Sequence, residues 1–171
     1  MSVSLRPATA DDLAAVGALH YRSRLDAYRD IIPETALAAI SPEMMGAWWT
    51  ERWGWERETH LLTVAERDGD LAGFSYVGPY EQDEDEPGLG ELYAIHLDPA
   101  EVGRGVGRLL MVDALATLRR AGWARAALWV LAGNARARRF YERGGWATDG
   151  VERDDTVGTA VTRMVRYTRS L

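Results

Sequence analysis

Residues 91–107 read ELYAIHLDPAEVGRGVG. The stretch begins as a strand, with β-favouring Leu92, Tyr93, Ile95 and Leu97. Asp98 and Pro99 then halt it, because proline donates nothing to a ladder. A loop carrying Gly103, Gly105 and Gly107 follows and opens directly into an apolar periodic segment, RLLMVDALATLRRAG. Strand, glycine-rich loop and helix in this order aim backbone N–H groups and a helix N-terminus at a phosphate. The glycines alone do not name the phosphate, and a dinucleotide-binding fold is the rival reading. Against it, the loop follows the fourth predicted strand rather than the first, and no repeating βαβ pattern surrounds it.

Downstream, Leu109, Leu110, Ala114, Leu115 and Leu118 are expected on one side of the helix, which Gly122 ends. AALWVL at 126–131 is short enough for a buried strand, and Gly133 and Asn134 open a further helix, NARARRFYERGG. Residues 146–148 and 159–167 alternate as a closing antiparallel hairpin. Upstream, HLLTVAE and LAGFSYVG flank a turn at Arg67, Asp68, Gly69 and Asp70, the pattern of a β-hairpin. YEQDEDEPGLG at 80–90 then places five carboxylates at 81–86, a solvated loop or a rim that draws in a cationic substrate. At the start, a short strand around Leu5 precedes a helix capped by Thr9 or Asp11, whose inward stripe is Leu13, Val16, Leu19 and His20 and whose periodicity runs towards Tyr28. Pro33 interrupts, and a second helix after Ser41 and Pro42 holds Met44, Met45, Trp48, Trp49 and Trp53. That aromatic load reads either as core plus a dimer or lid surface, or as the wall of an acceptor pocket. The order is β-α-α-β-β-β-α-β-α-β-β, a single α+β domain over 1–171.

Composition narrows function by exclusion. The 171 residues are enough to bury a sizeable core, and 47% hydrophobic with 27% charged is ordinary for a globular chain. No apolar run approaches the roughly 18 residues of a membrane span, and the N-terminus lacks the apolar core of a signal peptide, so a cytoplasmic location without membrane attachment is expected. The absence of cysteine excludes disulfides, thiolate metal sites and a cysteine nucleophile. All 20 basic residues are arginine, which excludes lysine Schiff-base chemistry and the Gly-Lys of a Walker-type loop. A net charge of −6 argues against a nucleic-acid partner. No metal site is expected.

A second motif sharpens the first. Asn134, Arg138 and Tyr141 fall three and four residues apart and share a helix face. With Ala137, Phe140, a glycine pair and Trp146 they make Asn-x-x-Ala-x-x-Phe-Tyr followed by glycine and an aromatic. Together with Val102-Gly103-Arg104-Gly105-Val106-Gly107, the segment from Leu92 to Trp146 resembles the GNAT superfamily of acetyl-CoA-dependent N-acetyltransferases. The family's pyrophosphate loop has the form Gln/Arg-x-x-Gly-x-Gly/Ala; Gly105 and Gly107 match it, whereas Val102 replaces the polar first residue. The residues around Ala27, Tyr28, Arg29, Ile32 and Pro33 are similar to bacterial members more loosely.

The resemblance implies a mixed, mostly antiparallel sheet splayed between strands four and five, with helices on both faces. It implies acetyl-CoA, with pantetheine in the gap between 95–97 and 128–131 and a backbone N–H near Leu97 facing the thioester carbonyl. The cofactor-binding residues so implied are Ile95, His96 and Leu97 on the strand, then Val102, Gly103, Arg104, Gly105, Val106, Gly107 and Arg108 in the loop. Asn134, Arg138 and Tyr141 complete the set. Tyr141 matches the family's general acid for the departing thiolate. Glu91 aligns with a strand-four glutamate that serves as base; His96, read as alternating to the opposite face, and the carboxylates at 81–86 acting through water are the other base candidates. Tyr28, Trp49, Tyr80 and Glu91 are the expected acceptor-binding residues. The acceptor is expected to be a small, cationic primary amine, with a homodimer conceivable from the aromatics. A peptide amine acetyltransferase and a non-catalytic acyl-CoA-binding regulatory domain are the alternatives.

Overall fold

The computed structural model describes residues 2–81, 86 and 88–171. Seven strands form one sheet: β1 (Val3–Pro7), β2 (Leu61–Arg67), β3 (Asp70–Pro79), β4 (Leu89–Leu97), β5 (Arg125–Leu131), β6 (Ala147–Val157) and β7 (Ala160–Ser170), in the spatial order β1-β2-β3-β4-β5-β7-β6. Every pairing is antiparallel except β4 with β5. Helices α1 (Leu13–Ala27), α2 (Glu34–Ala38), α3 (Pro42–Glu56), α4 (Val106–Arg120) and α5 (Ala135–Arg143) complete the α+β fold. The expected order is observed with one addition, the short α2, whose five residues carry too little periodicity to be read from sequence.

Local signals explain most boundaries. Asp68 and Gly69 both adopt positive φ (55° and 88°), the requirement of the tight β2–β3 turn. The Ser41 side chain accepts from the Met44 N–H at the start of α3. The carboxylate of Asp12 accepts from the Thr9 N–H at 2.7 Å and from Arg6 at 2.8 Å, tying the first strand to the entry of α1. The closing hairpin is longer than its alternation suggested: β6 runs to Val157 because a register shift between Thr148 and Glu152 breaks its alternation midway.

The two faces of the sheet are covered by different helices. Leu13, Val16, Leu19, Met45 and Trp49 of α1 and α3 pack on Leu62, Val64, Phe74 and Tyr76. Met111, Ala114, Leu115 and Leu118 of α4 pack on Val77, Leu92, Leu128 and Val130. Leu109, expected on the inward stripe of α4, is instead exposed with Val112. Helices α1 and α3 cross at glycines: a Cβ on Gly17 would stand 2.3 Å from the Gly46 nitrogen. No helix among the described residues is long and apolar enough to cross a membrane.

Candidate functional site

The site begins where the sheet comes apart. Strands β4 and β5 pair at only three positions, Leu89 with Arg125, Gly90 with Ala126 and Glu91 with Ala127. Beyond them β5 stays paired to β7 along its whole length, while β4 keeps only β3. A wedge therefore opens between 92–97 and 128–131, leaving strand-edge backbone groups to be met by something else.

A bulge sits at the apex of that wedge. Ala94 opposes Tyr76 and Leu92 opposes Val77, so Tyr93 is an extra residue. The extra residue resets the alternation. Leu92 enters the α4 layer, whereas Tyr93 and Ala94 pack against the α1–α3 layer. His96 follows Ala94 onto that layer, so it shares a face with Glu91, and the expectation that the two alternate to opposite faces is corrected. His96 Nδ1 lies 3.0 Å from Ser23 Oγ, and its ring stands 4.2 Å from that of His20. Burial, with the charge of Arg24, pushes its pKa down to about 3, which makes it a weak base.

Glu91 is 2% exposed. Burial pushes its pKa up to about 7, against the opposing pull of Arg153, Arg52 and the Tyr93 hydroxyl. A carboxyl poised there changes protonation state near neutrality, as a general base must. The neighbouring Arg52 escaped the sequence reading. Its guanidinium stands 4.9 Å from the ring centroids of both Tyr76 and Tyr93 and 5.2 Å from that of Trp48, and it is paired with Glu56 at 2.8 Å. Its place one turn after Trp48 on an aromatic helix was the available signal. Trp49, expected to line the acceptor pocket, is 1% exposed and donates its indole N–H to His20 Nδ1 at 3.0 Å. It is a core residue, because the α3 stripe that carries it faces the sheet.

Across the wedge, Tyr28 caps the C-terminus of α1 and α5 presents Tyr141. Burial pushes both hydroxyls above the usual phenol range, and each tyrosine lies close enough for Tyr28 to add to the shift at Tyr141. A phenol so raised stays protonated, which is the form a proton donor needs, while the same shift weakens it as an acid. The Tyr141 ring packs near Phe140, Trp146 and Tyr167.

The glycine loop lies at the open end of the wedge. Gly103 and Gly105 adopt φ of 78° and 89°, and Gly105 is the N-cap of α4. The N–H groups of Val106, Gly107 and Arg108 belong to the first helical turn, which has no intrahelical acceptor for them. Val102 is extended, Arg104 is paired with Glu101 at 3.1 Å, and Arg108 is exposed. A cradle of this shape fits a pyrophosphate through backbone donors, with Ile95 and Leu97 at the strand end beside it. Two expected contributors are occupied elsewhere. The Asn134 side chain caps α5 by accepting from the Ala137 N–H at 3.1 Å. Arg138 donates to the Tyr167 hydroxyl and the Ala132 carbonyl, both at 2.9 Å, so its fork serves the β7–α5 junction.

At the rim, Arg166 donates to the Tyr80 hydroxyl at 3.1 Å and to Glu86 at 2.9 Å, and pairs with Asp149 at 2.7 Å. Glu86 thus shares one guanidinium with Asp149; 82–85, the rest of the acidic stretch apart from Glu81, lie outside the described residues. No group of three metal-ligating side chains occurs among the described residues.

Comparison with known proteins agrees with this architecture. A profile of the acetyltransferase (GNAT) family matches residues 25–146. Mycothiol acetyltransferase of Rhodococcus erythropolis is 37% identical over 95 residues, 54% of this chain and 32% of the relative. Mycothiol acetyltransferase of Thermobispora bispora is 40% identical over 90 residues, 50% of this chain and 30% of the relative. The chain thus matches about a third of the length of these curated relatives. Among solved structures, the PaiA N-acetyltransferase of Thermoplasma acidophilum in complex with coenzyme A superposes with a TM-score of 0.80 at 18% identity, over the full length of both chains. The phosphinothricin acetyltransferase of Sinorhizobium meliloti in complex with AcCoA gives 0.76 at 18% identity, covering 100% of this chain and 89% of that one.

Proposed function

The chain belongs to the GNAT acetyltransferase family, and on that premise we propose that it moves an acetyl group from acetyl-CoA directly to the amine of a small molecule. The observation that carries the reading is Glu91, a buried carboxyl with a pKa of about 7 at the apex of a splayed β4–β5 pair.

Each residue then has a task set by its place. The N–H groups of the loop from Gly103 to Gly107 hold the pyrophosphate, and the unpaired edges of β4 and β5 receive the pantetheine arm. Acetyl-CoA supplies the activated acetyl group. An alkylammonium holds its proton to a pKa of about 10, so attack requires a base, and Glu91 accepts that proton. A backbone N–H on the freed edge of β4, between Leu92 and Leu97, donates to the thioester oxygen as negative charge gathers there. Tyr141, kept protonated by burial, gives its proton to the departing thiolate as the C–S bond breaks, and the second proton shed by the attacking nitrogen restores the phenol. With no cysteine in the chain, a thioester intermediate on the protein is excluded, consistent with direct transfer.

The test is acetyl-CoA consumption across a diverse panel of small amines, with heat-denatured protein as the control. Turnover of a defined subset is the expected result. Tight binding of acetyl-CoA with no turnover of any amine overturns the reading and leaves a non-catalytic binding domain.

A further inference from the structure

Among the described residues, five buried side-chain nitrogens have no hydrogen-bond partner, and three of them, Arg24 Nε, Trp129 Nε1 and Arg153 Nε, belong to one surface. The ladders place two of these. Trp129 and Leu131 alternate together on β5, Leu131 opposes Met164 of β7, and Met164 opposes Arg153 of β6, so all four project from the same face. That face meets α1, since Leu131 and Met164 pack with Leu25 and Tyr28. Arg24 stands one turn before Tyr28 and next to Ser23, which bonds His96 across the wedge. The Arg153 guanidinium lies 4.1 Å from the Trp129 ring centroid and is paired with Asp155 at 3.1 Å. Arg24 is pulled below the usual guanidinium range by burial, with Tyr28 and Asp155 acting in the opposite sense. The charge of Arg153 also reaches Glu91.

Buried donors without acceptors cost their full desolvation penalty, so each calls for a partner outside the chain, a water, an ion or a ligand. Three N–H donors, two of them on guanidinium groups, stand here with Asp155 as the one carboxylate paired to them, while Glu91 lies within reach of the Arg153 charge. We propose that the acceptor amine also carries a carboxylate, held by Arg24, Arg153 and the Trp129 indole so that the amine faces Glu91. The acceptor is then an amino acid or a close derivative rather than a polyamine. This rests on the acetyl-transfer reading above.

The experiment uses the full chain with acetyl-CoA and matched acceptor pairs: tyrosine with tyramine, phenylalanine with phenethylamine, leucine with isoamylamine. Values of kcat/KM are corrected for the free-base fraction of each amine. The carboxylated member should be preferred by at least about tenfold, because a site built to bond a group rejects the analogue that lacks it. That preference should fall at least about tenfold in Arg24→Gln and several-fold in Trp129→Phe, which removes one donor and keeps the ring beneath Arg153. Equal use of both members, or an unchanged preference in both variants, overturns the proposal while leaving acetyl transfer intact. If no amine is acetylated, the transfer reading fails separately, and the Trp129 indole N–H resonance decides this one. A shift with the amino acids and not with their decarboxylated partners upholds it; no shift, or a shift with coenzyme A alone, overturns it.

Discussion

A carboxyl removed from water loses more as the anion than as the acid, and Glu91 shows both consequences of that asymmetry. Its pKa rises from 4.5 to about 7, which at about 1.4 kcal/mol per unit is a penalty of about 3 kcal/mol on the ionised folded state. The sign follows from the raised value: the folded protein holds the proton more tightly, so stability is full below about pH 4.5 and is lost as pH rises through about 7. Glu91→Gln should therefore be more stable than the parent at about pH 8, by up to about 3 kcal/mol in urea unfolding, with the two converging below about pH 4.5. The same substitution should lower kcat/KM by roughly 10²–10⁴-fold and replace the parent's bend near about pH 7 with a rate that climbs until the amine itself deprotonates near about pH 10, as a pH–rate profile would reveal. Tyr141→Phe should reduce kcat while calorimetry finds acetyl-CoA affinity nearly unchanged, since the ring and its packing remain; full activity would remove Tyr141 from the mechanism. The position of Glu91 was legible from its distance to the glycine loop. Its pKa was not, because the β3 and β5 strands that flank it and the arginines of α3 and β6 that act on it meet it only in the folded chain.

The loop and the helix crossing respond to substitution for different reasons. Nothing lies within 4 Å of where a Cβ on Gly105 would stand, but its φ of 89° disfavours any side chain. Gly105→Ala should thus cost roughly 1–2 kcal/mol from backbone strain alone and, by relaxing the cradle, weaken acetyl-CoA binding measured calorimetrically about tenfold. Gly17→Ala gains helix propensity of up to about 1 kcal/mol yet drives a methyl to 2.3 Å from the Gly46 backbone nitrogen. Overpacking of 1–3 kcal/mol or more at a backbone contact wins, and thermal unfolding should show net destabilisation. Three glycines between a strand and an apolar helix made the loop readable. The bulge at Tyr93 was not, since an extra residue is defined only by the register of β3 opposite it. That one residue is why His96 shares a face with Glu91 although the count between them is odd.

The sheet has two halves, β1 to β4 and β5 to β7, joined by three residue pairs and bridged at one end by α1. A cofactor seated in the wedge would bond both halves, so acetyl-CoA should act as a clamp. At a concentration one hundred times its dissociation constant it adds about 2.7 kcal/mol, which for a domain of this size raises Tm by roughly 5–10 °C. An unchanged Tm at saturation would mean the cofactor does not bind the folded chain as proposed. Residues 91–107 and 134–146 were decided by the sequence itself: strand, turn and helix signals are local, and glycine, proline and capping residues act through backbone conformation within a few positions. The splay, the bulge, the burial of Glu91 and the converging donors of Arg24, Trp129 and Arg153 were decided only by the tertiary structure. Each depends on groups far apart in the chain, and neither register nor desolvation exists until those groups are packed together.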